Sequence, residues 1–474
     1  MNKYTVMAAG LVLSLGLVAG CGSSDGPEAG KQEEKGSSEA PEKAPKAEGP
    51  VYRGTAIPGL AAKQAWSLPA ADPIDLGDTF LFVKSASGDY AQGGQFEKEP
   101  LDGTTGTLHS SSEPEPLELE FRDVKTGAVR KTLKVTAEHV AATTWRDGVP
   151  AFEVRTSATT ESDGLSAEAT TVTVTVYGSD GAELGKAEHK GDTPFHVHEG
   201  HLIEQADQAT LQLTPIGGGQ PRKVTCGGNQ ASCSFDPRNK DIDGGQGHAP
   251  LITGTYTFHV ENGSTYETAP EELVMSDLST GRKVWSTADV TPPKGVELDD
   301  DGVRTSGSIR VLDVRDGRIL TAWGAGAFAT DTWVTATYEL ASGKQIGGST
   351  KYSYADFPGD TINTEGSSVF SPDRRFAAAA TERGSTVWQP ADGKEVWAQK
   401  EGEKAMTPLR FSPNGGVLYG TTEDGDETAL AVDAATKKVL AKDLPEDSVP
   451  LSAKQPGYGY FSTDAGFFVF PAAG

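Results

Sequence analysis

Met275–Thr287 reads MSDLSTGRKVWST: the end of an apolar strand, a polar turn closing on Gly281, then a second strand centred on an aromatic residue. The chain rewrites this unit. FRDVKTGAVRKTL from Phe121, YELASGKQIGGS from Tyr338, WQPADGKEVWAQ from Trp388 and AVDAATKKVLAK from Ala431 follow the same plan. A unit that recurs every few dozen residues predicts a repeat architecture, in which each copy buries its apolar face against its neighbours.

Outward from these turns the chain alternates apolar and polar residues. TVTVTVY (Thr171–Tyr177), TYTFHV (Thr255–Val260) and TWVTATY (Thr332–Tyr338) carry the period of two that marks half-buried strands, and no long segment carries a helical stripe. A second signal precedes strands that read as innermost: WRDGVPAFEV at Trp145, HEGHLIEQA at His198, RDGRILTAW at Arg315, FSPDRRFAAAA at Phe370 and FSPNGGVLYG at Phe411. Together with the other turn dipeptides these predict inner turns near residues 78, 148, 200, 250, 317, 374, 415 and 458, the one near 250 from spacing alone.

The outer-strand signal KQAWSLP at Lys63 comes before any inner turn. The C-terminal YGYFSTDAGFFVFPAAG supplies inner strands with no outer strand after them. Joining the two ends would close a ring and hide both exposed sheet edges. The fold expected is therefore all-β: one β-propeller over residues 51–474, eight-bladed by repeat count, with its N- and C-terminal strands sharing a blade. Seven blades with an insertion is the alternative, because the interval from 200 to 317 is the least regular.

The two FSP segments resemble the Ser-Pro-Asp-Gly turn of bacterial β-propellers. The repeats resemble the quinoprotein-like (PQQ-like) and WD40-like propeller superfamilies across nearly all of residues 51–474. The resemblance implies architecture and is unspecific for activity, since propellers host enzymes, receptors and scaffolds.

Residues 1–20 hold one early cation, Lys3, and the apolar run Val6–Ala19, too short to span a membrane and fitting a signal peptide. Leu17-Val18-Ala19-Gly20-Cys21 resembles the lipobox of bacterial lipoproteins. The resemblance implies cleavage before Cys21 and a diacylglycerol on its sulfur, anchoring the chain to a membrane outside the cytoplasm. An ordinary secretory peptide with an incidental cysteine is the alternative. Residues 21–50 lack aromatic residues and aliphatic ones larger than Ala before Val51, and are expected to form a solvated tether.

A net charge of -25 opposes binding to nucleic acid or to anionic lipid and suits a soluble monomer. Cys226 and Cys233, six residues apart in CGGNQASC, suggest a disulfide in a secreted chain.

Four of the eight histidines, His189, His196, His198 and His201, fall within HKGDTPFHVHEGH. Two histidines at i and i+2 on a strand share a face, so His196, His198 and His201 are candidate zinc ligands. Against this, Val197-His198-Glu199-Gly200-His201 aligns with Val314-Arg315-Asp316-Gly317-Arg318, which makes the histidines ordinary polar positions of an inner turn. Asn239, Asp241 and Asp243 alternate like the front half of a calcium loop, but Pro250 stands where the bidentate Glu belongs. No cofactor is expected otherwise, zinc or calcium being the only candidates.

No nucleophile elbow, zinc-protease motif or phosphate loop is present. The adjacent-cysteine pair of quinoprotein dehydrogenases is also missing. Trp66, Trp285, Trp388 and Trp397 include several at one repeat position, which points to packing between blades. The expected function is non-catalytic: a rigid disc that presents loops to a protein or small-molecule partner. The long segments Ser85–Leu117 and Gly217–Pro250 are the expected contacts. An enzyme with its site at the channel mouth and a solute-binding lipoprotein are the rivals.

Overall fold

The computed structural model describes residues 49–91, 106–160, 169–225 and 251–474, less 192, 208–209, 254, 262–269, 279, 299, 301, 303, 305–308, 316, 326–331, 354–367, 382–383, 392–393 and 423–427. Two kinds of turn set the strand register, and both follow from short polar motifs.

In the first, an Asp ends one strand and a Thr follows three residues later. The Oδ1 atoms of Asp123, Asp277 and Asp433 accept hydrogen bonds from the backbone N–H of Thr126, Thr280 and Thr436 at 2.8, 2.6 and 2.8 Å. The same oxygens accept the threonine hydroxyls at 2.9, 2.7 and 2.7 Å. The next residue then donates its N–H to the Asp carbonyl from a left-handed backbone: Gly127 at φ 70°, Gly281 at 67° and Lys437 at 63°. Carboxylate capping of this kind is why Asp and Thr recur in the motif. Just beyond each turn the pairing shifts register, between Phe121 and Arg122, Met275 and Ser276, and Ala431 and Val432.

The second kind joins the first two strands of each group. His198 pairs directly with His201, so only Glu199 (φ 49°) and Gly200 (φ 72°) make the turn. Thr253 and Tyr256, and Arg315 and Arg318, pair in the same way. In the two FSP turns a serine hydroxyl does the closing. Ser371 Oγ accepts Phe376 N–H at 2.9 Å and Ser412 Oγ accepts Val417 N–H at 3.0 Å.

Among the described residues the strands form seven antiparallel sheets, six of four strands and one of seven. Strands change direction at an inner turn after Asp75, Trp145, His198, Thr253, Arg315, Phe370, Phe411 and Ser452, each matching one of the eight positions expected from sequence. The sheet count is one lower because Val129–Trp145 serves twice. Its first half, through Ala137, pairs with Glu115–Arg122 as the outer strand of one group. Its second half, from His139, pairs with Val149–Arg155 as the first strand of the next, while His139–Ala142 still pair with Gly106–Ser110 on the other side. Eight inner turns therefore feed seven sheets.

The chain ends meet as the sequence implied. Trp66, Ser67 and Leu68 pair with Val469, Phe468 and Phe467, so the strand Trp66–Leu68 completes a sheet otherwise made from residues 451–471. Trp66, Phe80, Phe82, Tyr460 and Phe467 pack edge to face around this junction, all buried.

Tryptophans tie three of the sheets to the one that follows. Trp66 Nε1–H donates to Val124 O at 2.8 Å, Trp285 to Leu340 O at 2.7 Å and Trp397 to Ala434 O at 2.8 Å. Each donor lies on an outer strand, and each acceptor lies in or beside the polar turn of the following sheet. The indole lies against that turn: a Cβ added to Gly127 would stand 2.6 Å from the Trp66 ring, and one at Gly343 would stand 3.0 Å from Trp285. Glycine is needed there for close approach as well as for positive φ.

Candidate ligand-binding site

Cys21, Cys226, Cys233, Asn239, Asp241 and Asp243 lie outside the described residues. Of the histidines, His196 and His198 lie on the strand Phe195–His198, and His201 begins the strand facing it. Across that ladder His196 pairs with Ile203 and His198 with His201. His198 Nε2 stands 2.7 Å from Ile252 O, so this nitrogen carries the hydrogen. Nδ1 is then the acceptor for the Thr144 hydroxyl at 3.3 Å. Thr144 Oγ1 in turn accepts Glu199 N–H at 3.3 Å. His198 thus stitches three consecutive sheets, with both ring nitrogens engaged. Burial is the main force that pushes its pKa down to about 4. His201 is also lowered, by burial first, with its Nδ1 2.9 Å from Glu199 O. His189 belongs to the neighbouring sheet, its Nδ1 3.4 Å from Glu204 Oε2. Among the described residues no three His, Cys, Asp or Glu side chains are grouped to hold a metal ion.

The segment Ser85–Leu117 is only partly a loop. Gly106–Leu117 belongs to the strand Gly106–Asp123, and its first residues pair with His139–Ala142. A shallow concavity of about 490 Å3 opens beside it, lined by Lys84, Ser85, Pro116, Leu117 and Lys134 among others. Glu120 lies buried next to Lys84, held by Lys84 Nζ at 2.6 Å, Tyr90 OH at 3.0 Å and the guanidinium of Arg122. Burial alone would raise the Glu120 pKa, but Lys84, Arg122 and Tyr90 outweigh it and hold the carboxylate below its usual range. Of this network only Lys84 lines the concavity, so Glu120 acts there by holding Lys84 in place.

A second cleft, of about 480 Å3, lies between the sheets of residues 368–398 and 406–445. Trp397, Met406, Leu430 and Val432 form its apolar wall, and Glu403, Lys404, Lys437, Lys442 and Asp443 stand around it. Sequence inspection missed this site. The signal was present in AVDAATKKVLAK, where Lys437 takes the place of the turn glycine.

No protein-family profile matches the chain, and no curated protein matches it. Solved structures resemble it over much of its length. The Dos1 propeller is 9% identical with a TM-score of 0.34, over 85% of this chain and 94% of that one. The Cps50 (Swd1) β-propeller domain of Myceliophteria thermophila is 13% identical with a TM-score of 0.27, over 68% and 93%. The computationally designed Ika8 protein is 13% identical with a TM-score of 0.34, over 85% and 99%. At such scores the assignment rests on this chain's own strand order, its consecutive antiparallel sheets and the pairing of Trp66–Leu68 with the C-terminal strand. The chain is a β-propeller. Its tryptophans pack sheet against sheet, as their repeat position implied.

Proposed function

We propose that this β-propeller is a lipid-anchored extracytoplasmic protein whose role is to bind a protein partner, with the contact surface around the concavity beside Ser85–Leu117. The anchor rests on the lipobox-like Leu17–Cys21 following a short apolar run. The binding role rests on one observation above the others. An elaborated strand pair, unlike the shorter repeats elsewhere, carries a concavity whose lining residue Lys84 is held by the buried Glu120. Rigid scaffolds that display elaborated segments commonly carry recognition there.

The test is cross-linking on intact cells expressing the full chain, followed by detergent phase separation. Wild type is expected in the detergent phase with a reproducible cross-linked partner. Cys21→Ala should move to the aqueous phase. Lys134→Glu, an exposed change at the concavity, should cut the cross-linked partner at least tenfold without altering the melting temperature. An aqueous wild type would remove the anchor, and an unchanged partner yield in Lys134→Glu would remove the surface.

A further inference from the structure

The chain does not run straight into its closing strand. It reaches the C-terminal sheet at Gly49 and Pro50, two residues expected in the tether, loops through residues 53–63 and only then forms Trp66–Leu68. The two ends of this loop are fastened to each other. Ser67 Oγ–H donates to Pro50 O at 2.6 Å, and Gln64 Nε2–H donates to the same oxygen at 3.0 Å and to Ser67 Oγ at 3.1 Å. Tyr52 N–H returns to Gln64 Oε1 at 2.7 Å. The approach is close enough to need glycine on both sides. A side chain at Gly49 would collide with the Ser67 carbonyl, and a Cβ on Gly466 would stand 2.5 Å from the Pro50 ring.

The loop is also fixed to the sheet that it closes. The Tyr52 ring packs edge to face on Phe461, Phe468 and Phe470, with centroids 5.2, 5.3 and 5.8 Å away. Farther round, Leu60 forms a bridge with Ala472, and Ala61 N–H donates to Pro471 O at 2.9 Å. Gly59 O accepts Ala473 N–H at 2.9 Å, and Tyr419 OH, from the sheet of residues 406–445, donates to Pro58 O. A loop with its ends joined and its own side chains packed inside behaves as one compact unit.

We infer that residues 49–64 are a latch that keeps tension on the upstream chain off the closing strand. Trp66–Leu68 lies at the edge of its sheet and is held by three residue pairs. A pull on the residue before it would part these pairs one after another from the Trp66 end, and short terminal strands open locally at low cost. A pull on Gly49 arrives instead at Pro50 and Tyr52, where the Gln64 and Ser67 bonds and the three aromatic contacts must give way together. The source of the tension rests on the anchor proposed above, whereas the latch rests on the contacts of residues 49–68. Without it, a tethered ring would be opened at its seam by its own anchor.

Force-clamp measurements on the full chain test this. One handle is attached at exposed Glu401, and the other either at Gly22, upstream of the latch, or at exposed Lys63, beyond it. At equal load the seam should stay closed at least ten times longer when pulled from Gly22 than from Lys63. Both pulls act on the same folded protein, so the difference cannot come from overall stability. Gln64→Ala should bring the Gly22 lifetime down towards the Lys63 value. Equal lifetimes from the two pulling points, or an unchanged Gly22 lifetime in Gln64→Ala, would overturn the latch. Neither outcome depends on the lipid, whose absence would show separately as a wild type in the aqueous phase.

Discussion

Trp285→Ala is expected to destabilise the protein by about 3–5 kcal/mol, measured as a fall in the urea unfolding midpoint at unchanged slope. The indole is buried among Met275, Val290, Tyr338 and Leu340, and its N–H satisfies the Leu340 carbonyl. Removing it takes away the apolar contact between two sheets and leaves that carbonyl without its indole donor. The void cannot close easily, because Gly343 has no side chain to move into it and its backbone is fixed at φ 67° by the turn. Trp397→Ala should cost less, about 2 kcal/mol, because that ring is only half-buried. Equal losses at the two positions would mean that the hydrogen bond alone, common to both, carries the effect.

Acidification should weaken the fold through two partly buried histidines. His198 and His139 both have pKa values pushed from 6.5 to about 4, chiefly by burial. Each therefore stays neutral in the folded protein while the unfolded chain takes up a proton below about pH 6.5. Stability should be flat above pH 7, fall as pH drops from about 6.5 to 4, and lose at most about 3 kcal/mol per histidine. Glu153 complicates the His139 contribution. Burial raises its pKa, although both its carboxylate oxygens accept Arg155 at 2.8 and 2.7 Å. A raised carboxyl takes up its proton earlier in the folded state and offsets part of the loss, so His198 gives the cleaner signal. His198→Asn should lower stability at pH 7, by losing the Ile252 and Thr144 bonds, while flattening the dependence between pH 4.5 and 6.5. The same slope in the variant as in wild type, in melting temperatures across that range, would show that other groups govern the acid response.

Much of the architecture was legible because local chemistry specifies it. Asp277 and Thr280 build the turn by their own hydrogen bonds, so Met275–Thr287 and its copies announce where outer strands begin. The lone KQAWSLP and the unpaired C-terminal strands announced the closure, since a ring cannot leave either edge unmatched. The double use of Val129–Trp145 was hidden. Lys134–Val140 has no Gly, Pro or Asn to mark where Val149–Arg155 joins, and a strand that gains a second partner midway looks like any alternating strand. The environment of His198 was hidden for another reason. Its alignment with Arg315 gave the turn correctly, but Thr144 and Ile252, each 54 residues away, are what enclose the ring. The extent of Gly106–Leu117 as strand narrows the loop inferred from Ser85–Leu117, because residues 106–110 and 115–117 pair along the ladder on either side of a bulge at 111–114.

Closure of the ring by the N-terminal strand is the claim from which the rest follows, and thermal unfolding of residues 69–474, with and without a peptide spanning residues 49–70, tests it directly. Without the peptide, loss of Trp66–Leu68 should expose Phe467 and an edge of the C-terminal strand and lower the melting temperature by on the order of 10 °C. Added peptide should restore much of that loss in a saturable way. A truncated chain that melts where the full chain does, with no response to the peptide, would contradict a ring closed by its two ends.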